Sequence, residues 1–266
     1  MKRNVSLVTY VEKSVNSQSI ETFFPIIDSF KKCFKSNEFN YTRISGFDLR
    51  DDLAILNALS NPPVYKFDLF DEKAIKDSLS CTIEEDLFIY SITSASKSLK
   101  NDFVFSYMNQ EMVKKSRYKR IYLQFPFKIN NIDFDEVLSH LNSEFVLKNA
   151  FIEVMDGDIL ASSYFNEILT PNITVEQKDD LRQWKKNLKK LDSIFRNVFY
   201  GNIITNSMIT EVNGLKRIST SLDRLNIYNR FIDKNILYFE WQQKEDIVPK
   251  SELIHLLRES GVHFSN

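Results

Sequence analysis

The strongest hydrophobic pattern in this 266-residue chain runs through residues 174–202. Leu181, Trp184, Leu188, Leu191, Ile194, Phe195, Val198 and Phe199 recur at steps of three and four. At about 100° per residue they fall on one side of a helix. Arg182, Lys185, Lys186, Lys189 and Lys190 fall on the other. Thr174 with Gln177 has capping-box spacing, and Glu176, Asp179 and Asp180 suit the positive end of the helix dipole. Gly201, followed by Asn202, is expected to end the helix in the left-handed conformation. The pattern predicts a long amphipathic helix with its apolar side on the core and its lysine side in solvent.

Elsewhere the period alternates between that of helices and that of strands. Residues 4–11 place Val5, Leu7 and Val11 on one face and Val8 and Tyr10 on the other, which predicts a strand buried on both sides. A helix follows through Ile20, Phe23, Phe24, Ile27, Phe30 and Phe34. Tyr41–Phe47 reads as a strand, and Asp48 starts a short helix stopped by Asn61-Pro62-Pro63. Another short helix is expected over 71–79. Leu87–Thr93, Phe103–Asn109 and Lys119–Phe127 alternate between polar turns and predict an antiparallel meander, with Pro126 ending the third run. A helix from Asp133 through Phe145, a strand over Ala150–Met155 and a short helix over 159–169 follow. Beyond the long helix come a helical segment near 205–219, a hairpin of Leu225–Phe231 and Ile236–Trp241 around Asp233-Lys234-Asn235, and a terminal helix. Pro249 and Ser251 open that last helix and Gly261 closes it.

The fold class expected is α+β: two similar strand–helix–strand units with antiparallel strands, packed with the long amphipathic helix of the C-terminal half. No Pro/Gly/Ser-rich linker divides the chain. It reads as a single continuous domain over 1–266, in which the halves 1–112 and 118–266 repeat one order of elements.

Composition narrows the function mainly by exclusion. A hydrophobic content of 43% and a charged content of 27% suit a globular protein. A net charge of −1 speaks against general nucleic-acid binding, which needs a basic excess. No apolar run reaches the roughly 18 residues of a membrane span, and Ser6, Thr9 and Glu12 interrupt any signal-peptide core, so a cytoplasmic protein is expected. With only five glycines, the chain holds no G-x-G-x-x-G or G-K-[ST] phosphate loop. Cys33 and Cys81 make no disulfide framework. His140, His255 and His263 lack metal-ligand spacing, and no cofactor or metal is expected. Ser94-Ala95-Ser96-Lys97 matches S-x-x-K by letter but sits in a polar turn, and no G-x-S-x-G elbow is present. Carboxylates gather at Asp48, Asp51 and Asp52, at Glu84, Glu85 and Asp86, and at Asp156 and Asp158, and Asp71-Glu72-Lys73 resembles a D-x-K triplet. Each could serve acid–base work or bind a partner, and each also suits a solvated helix or strand end. Tyr228, Tyr238 and Trp241 lie in the C-terminal hairpin, where an edge strand bearing aromatics can accept a partner by strand addition.

The run Leu191–Ile204, LDSIFRNVFYGNII, resembles a segment of bacterial immunity proteins of polymorphic and type VI secreted toxin systems. Arg196, Asn197, Phe199, Tyr200, Gly201 and Asn202 supply the arginine-asparagine-x-aromatic-aromatic-glycine-asparagine motif, with Tyr200 at a position where tryptophan is expected. The resemblance covers about residues 175–242 and implies a cytoplasmic protein without catalysis that binds a cognate toxin. It assigns the motif residues to the scaffold and leaves the toxin contact elsewhere. Asp48, Asp51, Asp52, Glu84, Glu85, Asp86, Tyr228 and Tyr238 are the candidates for that contact. A homodimer is left open, and the toxin protein is the partner expected, with neither nucleic acid nor membrane. The rival readings are an orphan nuclease or hydrolase using an acidic cluster, and an adaptor or structural subunit of a phage or secretion apparatus.

Overall fold

Strand β1 (Arg3–Lys13) is flanked on both sides, by β6 (Lys119–Pro126) and by β7 (Phe145–Asp156), each antiparallel to it. That placement explains its composition. Val5, Leu7, Val8, Tyr10 and Val11 are all at most 4% exposed, so both faces of the strand are core, as its two-sided apolar pattern predicts. The computed structural model describes residues 3–13, 41–47, 64–65, 73, 89–95, 101–109, 118–126, 133–156, 174–241 and 248–265. The helices expected over 20–34, 48–59 and 159–169, nearly all of that expected over 71–79, and both cysteines lie outside the described residues.

The remaining strands are β2 (Tyr41–Phe47), β3 (Val64–Tyr65), β4 (Ile89–Ala95), β5 (Asn101–Asn109), β8 (Gly201–Thr205), β9 (Tyr228–Asp233) and β10 (Ile236–Glu240). Among the described residues they join the first three in one sheet of ten strands, ordered β3-β2-β4-β5-β6-β1-β7-β8-β10-β9. The meander expected over residues 87–127 is present as β4, β5 and β6, paired antiparallel in sequence order, and β6 stops at Pro126. The C-terminal hairpin is present as β9 and β10, and among the described residues β9 is the last strand on its side of the sheet. With four α-helices among the described residues, α1 (Phe134–Glu144), α2 (Val175–Lys186), α3 (Gly214–Arg224) and α4 (Lys250–Glu259), the fold is α+β. Among the described residues no helix is long and apolar enough to cross a membrane.

The caps follow the sequence closely. Asp133 accepts the N–H of Glu136 at the start of α1, and Thr174 with Gln177 forms the complete capping box of α2. Gly261, at φ +81°, closes α4, with Val262 N–H bonded to the Leu257 carbonyl. Phe145, expected on a helix face, instead begins β7.

The registers sort the layers. Val8, Tyr122, Phe151, Asn202, Ile204, Leu237 and Phe239 share one face of the sheet through successive cross-strand pairs. On that face α2 and the segment after it cover β1, β6 and β7, while α3 and α4 cover β8 and β10. Helix α1 lies on the opposite face, reaching β9 through Asp135 and Asn142.

The long helix is shorter than its pattern. α2 ends at Lys186, a 3-10 turn occupies Leu188–Lys190, and residues 191–200 are irregular before β8 begins at Gly201. Leu188, Leu191, Phe195, Val198 and Phe199 are nonetheless buried, so the three-and-four spacing reports a buried side, not a continuous helix. A bond between Asp180 and Arg196 shows why the helix cannot continue. Sixteen residues of straight helix would separate the two by about 24 Å, yet Arg196 Nη2 lies 2.6 Å from Asp180 Oδ2. The chain must fold back between them. Gly201 therefore closes no helix. A Cβ there would lie 2.9 Å from Ile152 Cδ1 and 3.0 Å from the Tyr238 hydroxyl, so glycine is required by the close approach of β7, β8 and β10. Gly201→Ala is expected to lower stability by about 1–3 kcal/mol through overpacking, read as a reduced urea midpoint at unchanged slope.

Candidate functional site

Two constellations stand out, one inside the molecule and one at its edge. The inner one is the run Arg196–Asn202. The Arg196 side chain is 1% exposed and directs both Nε and Nη2 to Asp180 Oδ2, at 3.1 and 2.6 Å. Its guanidinium lies over the rings of Phe151, Trp184 and Phe199, at 4.9, 5.2 and 5.7 Å from their centroids. A planar, permanently charged group suits such a cage, where each ring face attracts the cation and the carboxylate balances its charge.

The backbone of this buried irregular segment needs hydrogen bonds that a helix would have supplied. Asn202 supplies two, accepting from Phe199 N–H and donating to Phe199 C=O, each at 2.8 Å. Asn149 of β7 donates to the carbonyls of Leu191 and Ile194. Phe195 bonds His263 and Ser265 of the C-terminal segment, Tyr200 C=O accepts from Trp241 N–H, and Asn197 Oδ1 accepts from Val198 N–H. Close by, burial pushes the Glu153 carboxyl up, against the Lys250 charge and the N–H groups of Val154 and Tyr200. Burial likewise pulls the Lys250 ammonium down, against Glu153 and Asp180, and Lys250 Nζ lies 5.8 Å from the Phe199 ring centroid and 6.0 Å from that of Trp241. Arg196, Asn202 and Asn149 are buried, while Glu153 and Lys250 are partly buried.

The outer constellation is built on β9. Tyr228 is 50% and Phe231 39% exposed on this strand. Asp135, on the first turn of α1 and 5% exposed, receives at Oδ2 both the Tyr228 hydroxyl and Arg230 Nη1, the latter at 3.2 Å. The Arg230 side chain is itself 63% exposed. Asp135 thus fixes a tyrosine and an arginine on the surface of the sheet edge. Behind them Tyr238 donates to Glu240 Oε1 at 2.8 Å. Burial pushes the Glu240 carboxyl up, the Tyr238 hydroxyl opposes this, and the charges of Asp135 and Asp133 add to it.

Of the sequence candidates, Asp48, Asp51, Asp52, Glu84, Glu85 and Asp86 lie outside the described residues. Tyr228 is at the edge as expected, whereas Tyr238 is 1% exposed and meets Tyr228 edge-on inside it, so its ring offers no outer surface. Trp241 is also interior, donating Nε1–H to the Val248 carbonyl. Asp135 and Arg230 complete the edge cluster. Asp135 reads in sequence as an ordinary acidic first-turn residue, and only the packing of α1 across β9 distinguishes it. His140 and His255 pair with Glu136 and Glu259 one helical turn away. Among the described residues no group of His, Cys, Asp and Glu is arranged to hold a metal ion.

Two measurements check these geometries. Asp180→Asn strips the carboxylate from a buried guanidinium and is expected to cost about 3 kcal/mol in urea unfolding. The Tyr228 phenol is pushed up to about 12, first by its bond to Asp135, then by burial and the Asp135 charge. This is an acid whose folded pKa is raised, so its contribution to stability is whole below the ordinary value near 10 and is lost as pH rises towards about 12. A tyrosinate difference titration of wild type against Tyr228→Phe should show that late ionisation, and Asp135→Asn should return it toward the ordinary value.

No family model matches the sequence, and none of the curated proteins does. Among solved structures the fold is similar to that of the Pseudomonas aeruginosa T6SS protein PA0821, with a TM-score of 0.56 and 11% identity, over 98% of this chain and 73% of that one. At that identity the likeness is one of fold: this chain shares the architecture of a type VI secretion protein.

Proposed function

We propose that this chain is an immunity protein that binds and neutralises a cognate secreted bacterial toxin, without catalysis, and that the outer edge around β9 meets that toxin. The observation that carries the reading is the likeness of fold to a type VI secretion protein across 98% of the chain. The run Arg196–Asn202, on which the resemblance to immunity proteins rests, fits this reading as scaffold. Arg196 is spent on its cage and Asn202 on the backbone of Phe199. The contact then falls to a surface elsewhere, and β9 presents a tyrosine, an arginine and a phenylalanine on an edge that is open among the described residues, a composition typical of interface anchors.

The same likeness of fold also suits an adaptor or structural subunit of the secretion apparatus. The two readings differ in what the protein does for a cell. Co-expression with the toxin encoded beside its gene should restore growth, and the two purified proteins should form a stable complex. Growth arrest despite soluble expression, with no complex, would rule out immunity. Co-purification in a stoichiometric assembly of secretion components would favour the apparatus.

A further inference from the structure

The edge that holds Tyr228 and Arg230 carries more carboxylate than its own cation balances. Asp133, Asp135 and Glu240 gather at its Tyr228 end, and among the described residues Arg230 is the arginine bonded there, to Asp135 alone of the three. The second oxygen of Asp135, Oδ1, is buried and has no hydrogen-bond partner among the described residues. A buried carboxylate oxygen without a donor costs free energy, and one incoming donor can recover it. The other oxygen holds the Tyr228 hydroxyl and, through a single 3.2 Å contact, the exposed Arg230 side chain, so an arriving cation reaches Asp135 by displacing Arg230.

The backbone points the same way. Among the described residues β9 is hydrogen-bonded to β10 on one side and lies at the end of the sheet on the other. The register shifts between Ile236 and Leu237, leaving Ile232 as an extra residue on β9. Regular pairing on the open side is therefore confined to Tyr228–Phe231. The carboxylates stand at one end of that short stretch.

We propose that this edge takes a basic β-strand of a partner protein: the strand adds to the open side of Tyr228–Phe231, and its arginine or lysine side chain is received by Asp135 and Glu240 beside the Tyr228 ring. Main-chain bonds supply sequence-independent pairing, and the carboxylates select the charge. With the immunity reading, on which it rests for the identity of the partner, this makes a cationic strand of the toxin the element recognised. Asp135 positions Tyr228 and Arg230 in the free protein and becomes a direct contact in the complex.

The test uses the full chain, isotopically labelled for backbone amide NMR, and capped hexapeptides alternating valine with arginine or valine with glutamate. The arginine peptide is expected to shift the amides of Tyr228–Phe231, and the glutamate peptide to leave them in place. Asp135→Asn and Glu240→Gln should each weaken the arginine peptide roughly tenfold or more. Amide spectra of the variants report folding, and Glu240→Gln, at a partly exposed position, serves if Asp135→Asn unfolds. Equal response to both peptides, shifts confined to other strands, undiminished binding by folded variants, or a concentration-dependent dimer that occupies β9 would each overturn the proposal. The growth assay keeps the two readings apart. Rescue that survives both substitutions with unchanged toxin affinity removes the basic-strand proposal alone, whereas absence of rescue with charge-selective peptide binding removes the immunity reading alone.

Discussion

The contact between Arg196 and Asp180 sets the shape of the C-terminal half. Burying a guanidinium in a core of Phe151, Trp184 and Phe199 is tolerable only with a carboxylate at hand. That carboxylate sits on the preceding helix, so the chain must turn back after Lys186. The turn brings Phe199 against Phe151, stacked at 4.7 Å between centroids, and delivers Gly201 to β7, where a side chain would not fit. From there β8 pairs with both β7 and β10, which joins the C-terminal hairpin to the sheet.

Folding back creates a second constraint, because ten residues of irregular, buried or half-buried backbone have no ladder of their own. The donors and acceptors come from far along the chain: Asn149 on β7, Trp241 after β10, and His263 and Ser265 beyond α4. This explains how polar residues of the run coexist with its burial. Asn202 is 1% exposed because both ends of its amide are committed to Phe199. The polar side chains of Arg196 and Asn202 thus serve the fold itself, one through Asp180 and the other through the backbone of Phe199.

Local signals were legible in the sequence and tertiary ones were not. Alternation located β1 and the meander, and Asp133, Thr174 and Gly261 behaved as caps because each acts on backbone within a few residues of itself. The same three-and-four spacing misled over residues 187–199, since a turn followed by irregular chain lying along one core buries residues at that spacing too. The reason for Gly201 was equally hidden, because Ile152 and Tyr238 are brought to it by two other strands. At the edge, the exposed tyrosine was legible from its hairpin. Its partner Asp135 was not, because nothing in a helix's first turn states which strand that helix crosses.

Net charge was the least informative number for function. The total of −1 suggests a surface without preference, yet the described structure separates its charges by face. Arg182, Lys186, Lys189 and Lys190 line the exposed side of α2 and the turn after it, over one face of the sheet. Asp133, Asp135 and Glu240 gather beside α1 on the other face, next to the open strand. Screening confines each cluster's field to about 8–10 Å at ordinary ionic strength, so a docking protein experiences one cluster and not the sum. Selectivity at such a site is set by a few fixed groups at short range. If a basic strand docks there as proposed, the buried carboxylate beneath an exposed tyrosine and arginine discriminates partners more strongly than the charge of the whole chain.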